Sequence, residues 1–399
     1  DDLELTTFGY TPTDGREISM DVLSVAIEEI DDWEAQLFWK TSRPALFGGT
    51  GSIERQEGLS SRSTGMFALY WMAQQHDYPR ALIQYKKSQK RLATYVGQIR
   101  KNLWEDGVVR PQYKVVGHLH GRFGTRDPVI HNLPNEKEIY DLYRAPEGYV
   151  ILYADYSQAD MRMIAHMADD DALRTWLEGD PHAEAVKVIR KLTDKELAVI
   201  KKERPDEYKK SRLAGKAVNF GLMYGRGADS LAPQLGVSVA EARVWMKRYW
   251  ERIPDVKAWI DSRVDELLRG EQEFIGPFGN RRRFPLLISR QHISKAAKLG
   301  VNFPIMSSVN YLTAIAHIEV VEELRSMGID TLVYPHIHDS INVCVPLEYA
   351  EVGAEVVERV MGQVPLDNGF DTIDWPVDVE IGTHWGTKYS VESSPLLQH

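Results

Sequence analysis

One stretch, Lys210–Gly225, limits what this 399-residue chain can fold into. It reads Lys-Ser-Arg-Leu-Ala-Gly-Lys-Ala-Val-Asn-Phe-Gly-Leu-Met-Tyr-Gly. Helical spacing puts Arg212, Lys216, Phe220 and Tyr224 four residues apart on one face. Two cations followed by two rings suit a polyphosphate at one end and a stacked base and sugar at the other. The same spacing suits an ordinary amphipathic helix packed on a core, so any chemistry has to come from the flanks.

The flanks carry carboxylates on strands. Tyr149–Ala154 is a short apolar run that reads as a buried strand ending at Asp155, where a loop opens access to a cation. Beyond Gln158 the period turns helical, with Met161, Ile164, Ala165 and Met167 as an apolar stripe. Thr331–Val345 reads as a β-hairpin with His338, Asp339 and Ser340 at its tip. Asp155 and Asp339, 339 − 155 = 184 residues apart, can converge on one site. Carboxylates with no Cys or His partner favour Mg²⁺.

Between these landmarks the pattern is mostly helical. Residues 179–218 start at Pro181-His182, and Pro205 divides the charged run Lys191–Lys210 into two helices. Val237–Leu268 reads as helical, Gly276–Asn280 as a turn, and Ser294–Met327 as a long helix. Upstream, Met20–Leu37 is a plausible helix, Ala45–Ser63 a Gly/Ser-rich loop, and Thr64–Gln75 with Pro79–Leu103 a helical pair. From Val115 the texture changes to short strands and turns.

Charge and composition exclude several classes. The net charge is −10, which argues against a uniformly basic nucleic-acid binder. Basic residues nevertheless cluster at Lys86–Arg91, Lys201–Lys210 and Arg281–Arg283, as patches able to follow a phosphate backbone or as solvated helix faces. The single cysteine, Cys344, excludes an intrachain disulfide and argues against a Cys-based zinc site. No apolar run is long enough to span a membrane and the start is acidic, so a cytoplasmic protein is expected. His118, His120, His131 and His166 match no zinc spacing and read as structural.

Together these stretches resemble family A DNA polymerases. Asp155-Tyr-Ser-Gln-Ala-Asp-Met-Arg162 is similar to motif A, Arg212–Lys216 with Asn219–Gly225 to motif B, and His338-Asp-Ser340 to motif C, in the family's order. Gly121-Arg122-Phe123, Asp127-Pro128 and Asn132-Leu133-Pro134 resemble the segment contacting the primer–template minor groove. Gly179–His182 resembles the start of the fingers, and Lys90–Tyr95 a thumb helix. The resemblance covers about residue 80 to Trp385.

It implies an α+β right-hand fold with helical thumb and fingers and an antiparallel palm sheet. Residues 1–107 would hold the N-terminal segment and thumb, 108–166 and 295–399 the palm, and 167–294 the fingers. Asp155, Asp339 and the Tyr156 backbone carbonyl would hold two Mg²⁺ ions, with Mn²⁺ as a substitute. Lys216 would act in catalysis and, with Arg212, His182, Phe220, Tyr224, Gln158 and Asp160, bind the deoxynucleoside triphosphate. Arg122, Asn132, Lys298, Asn302 and His338 would contact primer–template DNA. A monomer without a membrane partner is expected, in a bacterial cell or a phage-infected host.

The chain departs from the family at Asp160, where Glu is usual, at Ser340 for Glu, at Met306 for Gln and at Lys298 for Arg. The shorter Asp160 implies weaker exclusion of ribonucleotides, and the departures fit a phage or plasmid type. A relaxed enzyme using RNA templates or ribonucleotides, and a silent DNA-binding relative, remain alternatives at this point. The upstream region is too short for the family's proofreading exonuclease, although a longer precursor could carry one.

Overall fold

The computed structural model describes residues 69, 73, 77–115, 117–134, 136–284 and 290–397. The expected helix at Met20–Leu37, the loop at 45–63 and, apart from Leu69 and Ala73, the helix at 64–75 lie outside them. The chain forms two compact units, residues 1–97 with 226–244 and residues 98–225 with 245–399. Segment 226–244, inside the expected fingers range, thus groups with the N-terminal unit.

The first unit contains α1 (Asp77–Lys90). The expected continuous helix from Pro79 to Leu103 differs in its middle. Arg91–Val96 widens to π-helical pairing, with the Gly97 N–H donating to the Leu92 carbonyl, before α2 (Gly97–Asn102) resumes.

The second unit is built on a five-stranded antiparallel sheet. A two-stranded ribbon, β1 (Gln112–Lys114) and β2 (Gly124–Arg126), comes first, then the turn of helix α3 (Lys137–Tyr140) and strand β3 (Tyr149–Tyr156). Helices α4 (Ala159–Ala168), α5 (Asp171–Leu177), α6 (Pro181–Arg190), α7 (Asp194–Glu203) and α8 (Pro205–Met223) follow. Pro205 sits in the first turn of α8, where its missing N–H costs nothing, and so divides the run as expected.

After α9 (Ala228–Leu235), the expected helix over 237–268 is two: α10 (Val239–Arg252) and α11 (Pro254–Leu268), with Pro254 opening the second. The Gly276–Asn280 turn closes a small hairpin, β4 (Glu273–Ile275) and β5 (Arg281–Arg283). Arg281 and Arg283 pair with Glu273 at 3.0 and 2.9 Å, so two of that patch's three charges are spent locally.

Helix α12 (Arg290–Ser326) leads to β6 (Leu332–Ile337) and β7 (Ser340–Pro346), then α13 (Ala350–Asp367), β8 (Val377–His384) and β9 (Thr387–Ser390). The strand order is β6-β7-β3-β8-β9, with β3 central. A central strand covered on both faces reads as a continuous apolar run, which is why Tyr149–Ala154 does not alternate.

One face of β3 carries Leu152, packed against α13 so tightly that a Cβ on Gly353 would stand 2.9 Å from its methyl. The other carries Ile151 and Tyr153, packed with Cys344, Trp385 and the half-buried Tyr140 and Tyr143. Ile151 and Leu152 are fully buried, each worth ~1.5–3 kcal/mol of apolar transfer. Strands from residues 108–166 and 295–399 therefore share one sheet, although 175 residues separate β3 from β6 (332 − 156 − 1).

Candidate active site

Adjacent strands bring the two expected carboxylates together. Asp155 lies opposite Ser340 in the β3–β7 ladder, and the Tyr156 N–H donates to the Asp339 carbonyl at 3.4 Å. Asp339 sits in the two-residue turn joining β6 to β7, where His338 takes a left-handed φ of 60°. The Ser340 hydroxyl donates to the Ile337 carbonyl at 2.9 Å, so this departure from the family pattern serves the turn.

Burial and the opposing Asp339 charge push the Asp155 carboxyl up to about 7. Burial together with Asp160 pushes Asp339 up to about 6. Two crowded carboxylates without an ion-pair partner among the described residues are an oxygen-only donor set. That set fits a hard divalent cation that draws its remaining ligands from water and substrate phosphate. No group of three or more His, Cys, Asp or Glu among the described residues forms a metal cage by itself.

Asp160, on α4, ties this centre to α8. Its side chain is 9% exposed, accepts a hydrogen bond from the Tyr224 hydroxyl and pairs with Arg122 at 3.1 Å. Burial and the Asp160 charge drive the Tyr224 phenol upward, so it stays protonated and donates. Arg122 reaches Asp160 because Gly121, at φ 84°, lets the backbone approach α12: a Cβ there would stand 2.4 Å from the Ser307 Cβ. Gln158, at the left-handed N-cap of α4, keeps its Oε1 buried and unpartnered, as are Asp160 Oδ1 and Arg122 Nε.

Along α8 the expected face is real. Tyr224 closes the helix, its ring stacks on Phe220 at 5.9 Å, and the exposed Lys216 lies 5.8 Å from the Phe220 centroid. Arg212 Nε pairs with Asp180 at 2.6 Å. Asp180 also caps α6 by accepting from the His182 and Ala183 N–H groups. Burial opposes its charge, yet the Arg212 guanidinium holds the Asp180 carboxyl below its usual value.

His182 is 1% exposed and accepts at Nδ1 from the Asn219 amide at 3.0 Å; burial, then Arg212, lowers it to about 4. Burial and the neighbouring Arg212 thus keep it neutral at physiological pH.

The remaining expected residues are more scattered. Lys298 is exposed on α12, with its Cγ 3.3 Å from where a Gly225 Cβ would lie, and Asn302 on the same helix has a buried, unpartnered Oδ1. Asn132 is exposed beyond β2. The His338 ring lies 5.3 Å from His131, and burial lowers it to about 3. His118, His120, His131 and His166 do not meet at one place: His118 stacks on His120 at 5.2 Å, whereas His166 bonds Thr372 at 2.7 Å.

Three contributors were not foreseen from sequence. Asp180 is a visible N-cap, but nothing local signals its bond to Arg212 32 residues on. Asn219 anchors α8 to α6 through Pro181 and His182. Arg162, 5% exposed, donates to the Ser157, Asp374 and Leu177 carbonyls at 2.7, 2.8 and 3.0 Å and so fixes the turn after β3.

The family model for DNA polymerase family A matches residues 37–387. The chain is 30% identical over 344 residues to the thermostable DNA polymerase I of Thermus filiformis, spanning 84% of this chain and 39% of that protein. It is 30% identical over 335 residues to DNA polymerase I of Pseudomonas aeruginosa, spanning 81% and 35% respectively. The chain thus spans well under half the length of these relatives. A solved structure, the POL domain of Pol1 from M. smegmatis in complex with DNA primer-template and dNTP, superposes with a TM-score of 0.70 at 24% identity. That match covers 91% of this chain and 65% of the other, and shows the fold.

Proposed function

Because the chain belongs to DNA polymerase family A, we propose that it is a template-directed DNA polymerase, adding deoxynucleotides to a primer 3′-hydroxyl with release of pyrophosphate. Its α+β architecture is the right-hand polymerase fold. Within that hand we assign the N-terminal segment and thumb to residues 1–107, the palm to 108–166 and 295–399, and the fingers to 167–294. The observation that carries the reading is the Tyr224–Asp160 hydrogen bond, which joins the cation-and-ring face of α8 to α4, the helix that follows the strand bearing Asp155.

Asp155, Asp339 and the Tyr156 carbonyl would hold two divalent ions, Mg²⁺ or Mn²⁺. When bound, these supply Lewis-acid stabilisation of charge on the attacking oxygen, the α-phosphate and the departing pyrophosphate. Lys216 and Arg212 bind the β- and γ-phosphates and neutralise charge growing on the leaving group. Asp180 anchors Arg212 through Nε, and the outer guanidinium nitrogens would carry its contact to the phosphates. Phe220 and Tyr224 pack against the incoming sugar and base, and Gln158 and Asp160 face the sugar. His182 acts as the neutral post on which Asn219 fixes α8.

Arg122, Asn132, Lys298, Asn302 and His338 line the primer–template duplex and contact minor-groove acceptors shared by correct pairs. The solved neighbour's primer-template and dNTP support these partners. We place the protein in the cytoplasm as a monomer; no helix among the described residues is long and apolar enough to cross a membrane.

Extension of a labelled primer on a defined template in Mg²⁺ tests the reading. Products whose length and sequence follow the template, and that vanish on chelation, are expected. Untemplated products, or none in either metal, would overturn it. A second expectation concerns Asp160, whose short carboxylate is held back by Tyr224 and Arg122. Single-nucleotide insertion should show measurable ribonucleotide use, and Asp160→Glu, one methylene longer, should lower the ribonucleotide-to-deoxynucleotide ratio by about tenfold, or ~1.4 kcal/mol. A wild type that already rejects ribonucleotides as strongly as that variant would refute the role of the shorter side chain.

A further inference from the structure

The turn that presents Asp339 is preceded by a β-bulge. Tyr334 pairs with Asn342 and Ile337 with Ser340, so β6 spends three steps where β7 spends two. The extra residue takes the Pro335 and His336 carbonyls out of the ladder, three or four positions before Asp339.

Both carbonyls are satisfied by side chains from elsewhere in the unit. The Asn342 amide, on β7, donates to the Pro335 carbonyl at 2.5 Å. The His336 carbonyl accepts from the Tyr113 hydroxyl, on β1, at 3.0 Å and faces His131 Nε2 at 3.1 Å. His131 Nδ1 faces the Phe123 carbonyl at 3.1 Å, so one ring stands between the backbone after Arg122 and the backbone before Asp339; burial favours its neutral form, whose single N–H donates to one of the two carbonyls. Phe123 is held in turn by Asn310 of α12, which accepts from its N–H at 3.3 Å. His131 and His336 are 8% and 6% exposed. A bulge carbonyl buried this deeply is costly to leave without donors. Side-chain donors aimed at it therefore decide where the turn points.

We propose that Tyr113 and His131 are positioning residues for Asp339: by holding the His336 carbonyl they set the direction in which the turn presents its carboxylate to a divalent cation. This rests on the metal-holding role given to Asp339 above. Neither residue touches the reacting atoms. Both act through the backbone of the bulge, and His131 also couples that backbone to the Arg122 segment that pairs with Asp160.

The test uses Tyr113→Phe, His131→Ala and His131→Gln. Equilibrium Mn²⁺ binding to the free protein is followed by electron paramagnetic resonance, amide exchange of residues 336–341 is followed in metal-free protein, and primer extension is titrated with Mg²⁺. Tyr113→Phe and His131→Ala should weaken Mn²⁺ binding at least about threefold, speed amide exchange in the turn and raise the Mg²⁺ midpoint by a similar factor. His131→Gln, whose amide keeps one donor, should fall between His131→Ala and the wild type.

Unchanged Mn²⁺ affinity and Mg²⁺ midpoint, with lower melting temperature alone, would reduce these residues to fold stability and overturn the proposal. If His131→Ala fails to fold, Tyr113→Phe decides, since it removes one hydroxyl. Absence of primer extension by the wild type would overturn the polymerase reading, while the Mn²⁺ titration still decides this one.

Discussion

Replacing Asp339 by Asn is expected to lower primer extension at least about a thousandfold, or ~4 kcal/mol of transition-state stabilisation, while raising the melting temperature of the metal-free protein near about pH 8. The two effects share one cause. Asp339 stands beside Asp155 and Asp160 with no cation to balance it except Arg122, which Asp160 already engages. The crowding that makes a strong site for a divalent ion is a cost when no ion is bound.

The sign follows from the direction of the shift. The folded-state value, about 6, lies above the ordinary 3.8, so the folded form binds this proton more tightly than the unfolded chain. The stability associated with that proton is fully present below 3.8 and is lost as pH rises through about 6. The Asn variant, which never ionises, escapes that loss. Its advantage over wild type in chelator should be largest above about pH 7, shrink toward about pH 4, and reverse in saturating Mg²⁺. Scanning calorimetry at a series of pH values, with and without Mg²⁺, measures this directly. Extension within tenfold of wild type would remove Asp339 from the mechanism, and equal melting at every pH would contradict the crowding.

Gly215→Ala should be the most damaging single change to α8. A Cβ at this position would stand 2.2 Å from the His182 carbonyl oxygen and 2.9 Å from a Val186 methyl. The first is backbone, so nothing short of parting α6 from α8 relieves it. In an isolated helix Ala would be favoured over Gly by about 1 kcal/mol, whereas overpacking of this kind costs about 1–3 kcal/mol or more.

The clash therefore wins, and its effect reaches the site. Parting the helices breaks the Asn219 bonds to Pro181 and His182 and pulls Arg212 from Asp180. Lower melting temperature and weaker nucleotide binding are expected together. Gly179→Ala, where a Cβ meets nothing within 4 Å, serves as the control and should be neutral or slightly stabilising. If Gly215→Ala melts with the control, the α6–α8 contact is not as close as described.

Much of this site is legible one segment at a time. The all-apolar run of β3, the four-residue spacing of Arg212, Lys216, Phe220 and Tyr224, and the hairpin around Asp339 are each encoded within a few turns or strand lengths. Local periodicity suffices to find them. Breaks without a strong local signal were less legible. Nothing in Arg91–Val96 announces a change of helical pairing, and Pro254 opens a helix rather than interrupting one because its ring fits a first turn. The charge state of His182 was not legible for a related reason: residue type sets the ordinary pKa, but burial to 1% exposure and the neighbouring Arg212 lower it.

By itself, then, the amino-acid sequence determined the order of the motifs, the faces on which their side chains lie and the family to which they are similar. Only the tertiary structure decided what each face meets. That Tyr224 donates to Asp160 across 64 residues, Arg212 rests on Asp180 across 32, and Tyr113 and His131 hold the His336 carbonyl across 223 and 205 follows from chain directions accumulated over many elements. Periodicity is a property of neighbouring residues. Hydrogen bonds between distant elements depend on how those elements pack, and strand register, a β-bulge and close glycine contacts settle that packing only when the whole sheet and its helices are in place.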